Sequence, residues 1–210
     1  DYAFRNCSLL KEAVITDNVR IIGDYAFDGC TSLEKITFGK SLQTLEDYFI
    51  SGCVLITDIT IPKTIRDASY AFAGSSVESV VFEEGIANIP ASIFREAKYL
   101  SSVTLPEKED TLDGYAIGDY AFVGTALTSV KLPESLTSIG YGAFSGCALL
   151  KEVKITDNVR NVGDYAFDGC TSLEKITFGK SVQTIGDYVV RGCQLITDIT
   201  IPKNVNNASY

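Results

Sequence analysis

Apolar residues recur along this chain in a regular pattern. We anchor the pattern on the phenylalanine of an Asp-Tyr-Ala-Phe motif, and successive anchors are 22 or 23 positions apart, except for one longer step from Phe94 to Phe122. The anchors are Phe4, Phe27, Ile50, Phe72, Phe94, Phe122, Phe144, Phe167 and Val190. A unit this short cannot bury its own apolar side chains, so the period predicts coils that stack on one another and share a continuous core.

The spacing of apolar residues within one unit predicts the structure of a coil. Residues 150–155 end in an alternation of branched apolar and polar side chains, which is typical of a short strand with one buried face. Asp164 is then expected to cap a single helical turn at 165–167, and Gly169 to end that turn. The chain is therefore predicted to form about nine coils, with a parallel sheet on one face and short helical turns and loops on the other.

A longer period lies over the short one. Residues 7–70 and 147–210 match at 48 of 64 positions when Cys7 is aligned with Cys147, so six short units make one long unit. We interpret residues 1–210 as a single solenoid. Because the chain has no methionine and opens inside a motif, we expect it to be a fragment of a longer array.

The unit carries a specific motif. It reads Ala-Phe-x-Gly-Cys-x-x-Leu-x-x-Ile-x-[Ile/Phe]-[Pro/Gly], followed by Val-x-x-Ile-Gly-Asp-Tyr, and it is clearest in residues 26–38, 121–133 and 143–155. This motif resembles the BspA-like class of leucine-rich repeats. The resemblance implies a right-handed superhelix of the α/β leucine-rich-repeat type, with the sheet on the concave face and the helical turns on the convex face.

The resemblance also implies a role. BspA-like repeats are known chiefly from surface proteins of bacteria that live with animal hosts, and from some parasitic protists. The implied location is the cell surface or the secreted fraction, and the implied partners are surface or matrix proteins of the host or of neighbouring cells. Fold alone does not decide function, so this role remains an expectation.

Cysteine, tyrosine and aspartate each occupy a fixed place in the repeat. The six cysteines form two groups of three, and neighbours within a group are a whole repeat unit apart, which is not a metal-ligand spacing. Parallel side chains on stacked coils also stand too far apart for a disulfide, so we expect buried free thiols. The aspartates before each tyrosine are expected to act as caps, with calcium as the alternative. The tyrosines are expected to pack on one another, with a recognition platform as the alternative. We predict no metal and no cofactor.

Two sets of residues are candidates for binding a partner. The first is the outward-facing side of the strands, which suits either a solvated sheet or a weak polar protein interface; its candidate residues are Thr37, Thr60, Thr104, Lys131, Lys154, Thr177 and Thr200. The second is the insertion that causes the longer step between anchors, because irregular exposed loops often carry specificity. Its candidate residues are Glu107, Glu109, Asp110, Asp113 and Tyr115.

Composition excludes several classes of function. With 18 Lys and Arg against 27 Asp and Glu, the net charge is -9, which argues against nucleic acid as a partner. No apolar run is long enough to predict membrane insertion. The chain has no histidine, which removes the usual activation of Ser and Cys nucleophiles. We therefore predict a non-enzymatic binding or adhesion module, with a structural spacer as the alternative, and we expect that cut coils can associate end to end.

Overall fold

The computed structural model describes residues 1–108 and 114–208 of the chain and forms a parallel β-solenoid. Every strand pair in the described residues is parallel. The strands are β1 Glu12–Val14, β2 Ile21–Ile22, β3 Lys35–Thr37, β4 Thr44–Leu45, β5 Asp58–Ile61, β6 Ser79–Phe82, β7 Ser102–Thr104, β8 Ala116–Ile117, β9 Ser138–Ile139, β10 Glu152–Lys154, β11 Asn161–Val162, β12 Lys175–Thr177, β13 Thr184–Ile185 and β14 Asn207–Ala208.

The strands lie in two rows. The first strand row consists of β1, β3, β5, β6, β7, β10 and β12, and the second strand row of β2, β4, β8, β9, β11, β13 and β14. In the first row the predicted alternation is confirmed: in β5, Ile59 and Ile61 are buried while Asp58 and Thr60 are exposed. The second row was not predicted as strands, because each of its members is only two residues long.

The expected nine coils and uninterrupted sheet are not supported. The first row contains seven strands, which gives a solenoid of about seven turns, and it divides into the sheets β1-β3, β5-β6-β7 and β10-β12. Residues 57–63 and 197–203 have identical sequences, yet only the first segment contains a strand. The difference arises because β5 pairs with β6 along its full length, and a strand exists only through such a neighbour.

The expected helical turns are also wrong, since no helix occurs in residues 1–108 or 114–208, and thus none that is long and apolar enough to cross a membrane. Tyr165 has a φ of 57°, which an α-helix does not allow. Its N–H donates to the carbonyl of Asp187 at 2.8 Å, and the N–H of Phe167 donates to Val189 at 2.9 Å. The backbone therefore bonds from coil to coil, and we call this set of turns the turn row.

The aspartates of the turn row join neighbouring coils and do not cap helices. Oδ1 of Asp164 accepts the N–H of Asp187 at 2.8 Å, one coil further along. Oδ1 of Asp24 accepts the N–H of Asp47 at 3.0 Å in the same way. Each carboxylate thus satisfies a backbone donor of the next coil, which fixes the spacing of the turn row.

The core is a stack of phenylalanine rings with thiols beside it. Phe144 lies between Phe122 and Phe167, with ring centroids 5.3 Å apart on either side. Four cysteines are buried as expected, while Cys7 is exposed and Cys193 half-buried; the buried four are Cys30, Cys53, Cys147 and Cys170. The thiol of Cys53 donates to the carbonyl of Phe27 at 3.1 Å, and burial raises the pKa of that thiol to about 12.

Candidate binding surface

The outward side of the first strand row carries three grooves. The first groove lies between β3 and β5, has a volume of about 400 Å³, and includes Thr37 and Thr60. The second groove lies between β12 and residues 197–204, has a volume of about 820 Å³, and includes Thr177 and Thr200. A smaller third groove of about 250 Å³ includes Lys131 and Lys154.

The seven candidate residues of this surface are all exposed, and six of them line the grooves. The exception is Thr104, which lies on β7 and pairs in register with Val81. The sequence thus predicted which residues lie on this face. It did not predict that they would line separate grooves, because the grooves form where neighbouring segments do not pair.

The first and second grooves are equivalent under the duplication of the long unit. Eight lining residues recur unchanged in both grooves: Glu34, Lys35, Ile36, Thr37, Phe38, Asp58, Thr60 and Pro62 correspond to Glu174, Lys175, Ile176, Thr177, Phe178, Asp198, Thr200 and Pro202. The 16 positions that differ between the two copies therefore all fall outside this shared set.

The first and second grooves lie where the strand ladder between neighbouring coils is interrupted. In the described residues, β3 pairs with β1 and β5 pairs with β6, but no ladder joins β3 to β5. The facing edges of these two strands therefore present peptide groups to the first groove. Phe38 is half-buried and Pro62 is buried in that groove, whereas Lys35 and Asp58 are exposed. The groove thus combines an apolar base, charged rims and strand edges.

A tyrosine stack runs along the turn row. Its rings are grouped as Tyr2, Tyr25, Tyr48 and Tyr70, then Tyr120, Tyr141, Tyr165 and Tyr188, with neighbouring centroids 5.1 to 6.3 Å apart. Packing of the tyrosines is thereby confirmed, while their use as a platform stays a prediction. Tyr210 lies outside the described residues.

Two side chains of this stack were not predicted from the sequence. Tyr141 comes one position early, because Gly142 holds the tyrosine place with a φ of 55°. Arg95 fills the gap left by Ser92, with its guanidinium 5.2 Å from the ring of Tyr70 and 4.8 Å from that of Tyr120. A cation can replace a ring here because the face of tyrosine attracts positive charge. The available signals were a tyrosine next to the expected place and, for Arg95, an arginine three positions after it.

In the insertion, the structure describes Glu107 and Tyr115, whereas Glu109, Asp110 and Asp113 lie outside the described residues. Oε2 of Glu107 accepts both the N–H and the hydroxyl of Ser135 at 3.0 Å, and Oε1 accepts the N–H of Glu134 at 3.0 Å. Burial acts to raise the pKa of Glu107, but these hydrogen bonds and the charge of Lys131 outweigh it and lower the pKa. The carboxylate therefore ties the start of the insertion to the next coil.

Tyr115 corrects the candidate set, because its side chain is only 1% exposed and offers no surface to a partner. Its N–H donates to Oγ1 of Thr137 at 2.9 Å and its carbonyl accepts the N–H of Thr137 at 2.8 Å, which turns the ring into the core just before β8. Burial raises the pKa of its hydroxyl. The tyrosine was assigned to the loop because the sequence does not show where the insertion ends.

Comparison with known proteins identifies the family. A model of the BspA-type leucine-rich repeat region matches residues 1–118 and 115–210, in six copies, and so spans the whole chain. The chain belongs to the BspA-type leucine-rich repeat family. The resemblance seen in the motif is thereby confirmed.

Solved structures resemble this BspA-type chain in fold. A leucine-rich cell surface protein from Faecalibacterium prausnitzii is 25% identical with a TM-score of 0.53, over 93% of this chain and 68% of that protein. A leucine-rich repeat protein from Bacteroides ovatus is 22% identical with a TM-score of 0.44, over 98% and 76%. The pneumococcal vaccine antigen PcpA is 17% identical with a TM-score of 0.46, over 94% and 62%. No curated protein matches the chain.

One acidic group in the described part of the BspA-type chain has ligand atoms close together. The carboxylates of Asp1, Asp24 and Glu46 lie within 4.8 Å of one another. Oδ1 of Asp24 already accepts the N–H of Asp47, and calcium requires six to eight oxygens. The coil-joining role of the aspartates accounts for Asp24, so we assign no metal to this group.

Replacing Glu107 by glutamine is expected to lower the free energy of unfolding by about 1 kcal/mol. The side-chain NH2 group of glutamine cannot accept a hydrogen bond from the backbone N–H that one carboxylate oxygen now accepts. The lowered pKa means that the folded state favours the ionised carboxyl. Its contribution is present at neutral pH and is lost as the pH falls below the usual range of glutamate. Urea unfolding at several acidic pH values measures both effects, with Glu78→Gln, whose side chain is likewise exposed, as the control. An equal loss in the two variants would contradict the anchoring role.

Proposed function

We propose that this chain is a non-enzymatic protein-binding module of a bacterial cell-surface or secreted protein. It attaches to surface or matrix proteins of a host or of neighbouring cells through the first and second grooves. The observation that carries the proposal is the recurrence of the same eight lining residues in two grooves, one in each copy of the duplicated segment. Family membership and the similarity to the Faecalibacterium prausnitzii cell surface protein support the location.

The chemistry of the grooves suits an extended peptide segment of a partner. Strand edges such as those of β3 and β5 can hydrogen-bond to the main chain of such a segment, which gives affinity without a particular sequence. The half-buried ring of Phe38 accepts an apolar side chain, and Lys35 and Asp58 at the rim favour a segment with charges of both signs. A segment of this kind would be held by main-chain and side-chain contacts together.

Two equivalent grooves also favour avidity. They lie six repeat units apart, or about 29 Å if each unit adds one spacing of stacked strands. A partner with repeated segments, or a surface that displays many copies of one segment, can occupy both grooves. Binding through both is expected to exceed binding through one by about 10² to 10⁴ in affinity.

The direct test is an array of purified extracellular-matrix and cell-surface proteins, probed with the chain and with its double variant Thr60→Arg and Thr200→Arg. Both threonines are exposed, so the arginines should fill the grooves without disturbing the core. We expect the wild-type chain to bind at least one array protein and the double variant to lose that signal. Thr104→Arg, on the same face but outside the grooves, is the matched control and should bind normally.

Two results would overturn the proposal. Binding that survives in the double variant would place the interface elsewhere on the chain. The absence of any binding, together with rigid-rod behaviour in small-angle scattering, would favour a spacer that has no ligand of its own.

A further inference from the structure

We propose that a pocket in the turn row, separate from the grooves, binds a neutral sugar ring. The pocket has a volume of about 340 Å³. Its lining residues are Tyr48, Tyr70, Ala73, Gly74, Ser75, Glu96, Lys98 and Tyr99, none of which lines the first or second groove. The site is therefore independent of the protein-binding proposal above.

The rings of the tyrosine stack are spaced more widely at this pocket. The centroids of Tyr48 and Tyr70 are 6.3 Å apart, whereas the two preceding steps, from Tyr2 to Tyr25 and from Tyr25 to Tyr48, measure 5.3 and 5.2 Å. Arg95, which does not line the pocket, lies 5.2 Å from the ring of Tyr70 and supports it from outside. The wider step leaves aromatic surface accessible to a ligand.

The side chains around the pocket match the chemistry of a sugar. A sugar ring has apolar C–H faces, which pack on aromatic rings, and hydroxyls, which both donate and accept hydrogen bonds. Tyr99 is 63% exposed and supplies such a ring. Glu96 and Lys98 also line the pocket, and their opposite charges leave it without net charge. The pocket thus gives neither a cation nor an anion an electrostatic advantage, so a neutral polyhydroxylated ligand fits best.

Ser75 provides a polar group at the base of the pocket. It is 1% exposed, and its hydroxyl has no hydrogen-bond partner among the described residues. The equivalent position in the preceding coil is Cys53, whose longer thiol donates to the carbonyl of Phe27. A buried hydroxyl without a partner is costly, and a ligand hydroxyl that reaches it would satisfy it.

Glu96 departs from the repeat, and its carboxylate lies against Gly124 of the following coil. Glycine holds this position in seven repeat units, with φ between 69° and 77°: Gly29, Gly52, Gly74, Gly124, Gly146, Gly169 and Gly192. Glu96 adopts a φ of 59°, in the left-handed region where a side chain is disfavoured. This side chain lies at the rim of the pocket, where it can contact a ligand.

The test is a titration of the intact chain, followed by NMR chemical shifts, with methyl α-glucoside, methyl β-galactoside and N-acetylglucosamine. At least one sugar is expected to give saturable shifts, with a dissociation constant in the millimolar range, at the signals of Tyr48, Tyr70 and Tyr99. Choline and N-acetylneuraminic acid serve as the cationic and anionic comparisons.

Two variants that preserve the fold locate the site. Glu96→Gly restores the repeat's own glycine, so its melting temperature should equal or exceed that of the wild type while the affinity for the sugar falls by at least about tenfold. Tyr99→Ala removes an exposed ring and should lose affinity to a similar degree. Asn6→Gly, a change at the same repeat position with a φ of 60°, is the matched control and should bind normally.

Three outcomes would overturn this inference. They are the absence of saturable shifts with all three sugars, unchanged affinity in Glu96→Gly, and tighter binding of choline or of N-acetylneuraminic acid than of any neutral sugar. None of them depends on the Thr60 and Thr200 variants, so the two proposals can fail separately.

Discussion

Replacing Phe144 by alanine is expected to lower the free energy of unfolding by about 3 to 5 kcal/mol, the usual cost of deleting a fully buried phenylalanine ring. Phe144 is fully buried, and its ring stacks on the rings of both adjacent coils. A cavity at this point interrupts the continuous core through which the coils stabilise one another. Urea unfolding followed by circular dichroism measures the loss.

Phe4→Ala is the matched control, since Phe4 holds the same repeat position but is exposed and stacks on only one ring, that of Phe27. We expect it to cost about 1 kcal/mol or less. If both variants lost the same free energy, the stability of the solenoid would not depend on stacking between coils.

Replacing Gly179 by alanine is expected to cost about 3 kcal/mol, at the upper end of overpacking effects. A Cβ atom at this position would clash with the carbonyl oxygen of Thr156 and lie 2.6 Å from its carbonyl carbon. These are backbone atoms of the preceding coil, so they cannot move aside as a flexible side chain would. The coil spacing itself must change, and thermal or urea unfolding should report it.

Gly146→Ala separates this clash from ordinary glycine strain. A Cβ atom there would be 3.6 Å from the nearest backbone atom, while the φ of 71° imposes a conformational cost of about 1 to 2 kcal/mol. A Gly179→Ala variant no less stable than Gly146→Ala would mean that the coils are packed less closely than the structure indicates.

The repeat could be predicted from the sequence because every coil buries its equivalent positions with the same types of apolar residue. The period, the alternation in strands such as β5 and the buried thiols follow directly from side-chain type and spacing. The true conformation of the turn that we expected to be helical could not be predicted. Asp-Tyr-Ala-Phe resembles a capped helix, and nothing in the letters shows that the tyrosine adopts a positive φ and that its amide bonds to the next coil.

The grooves escaped prediction for a related reason. Both grooves lie at the same place in the duplicated unit, but the residue types there do not show that the segments on either side fail to pair. Tyr115 was wrongly predicted to lie in the exposed insertion, whereas its side chain belongs to the core. The regular repeat positions thus predicted the solenoid, whereas the candidate binding sites lie where the repeat is interrupted.

The irregular features are not scattered evenly. Ser92 and Glu96 both replace repeat residues in a single coil, and the insertion follows in the next connection. In a solenoid whose regular positions are occupied by coil-to-coil bonding, such departures are the places where function can be added without disturbing the stack. The two grooves are different, since they recur because the long unit was duplicated.

The central proposal, that two equivalent grooves bind the same kind of segment, is tested most directly by dissociation from an immobilised partner found on the protein array. The wild-type chain is compared with Thr60→Arg alone, Thr200→Arg alone and both together. We expect each single variant to dissociate faster by a similar factor of about 10² or more, and the double variant not to bind. If one single variant abolished binding while the other left it unchanged, the grooves would not be equivalent and the account would be wrong.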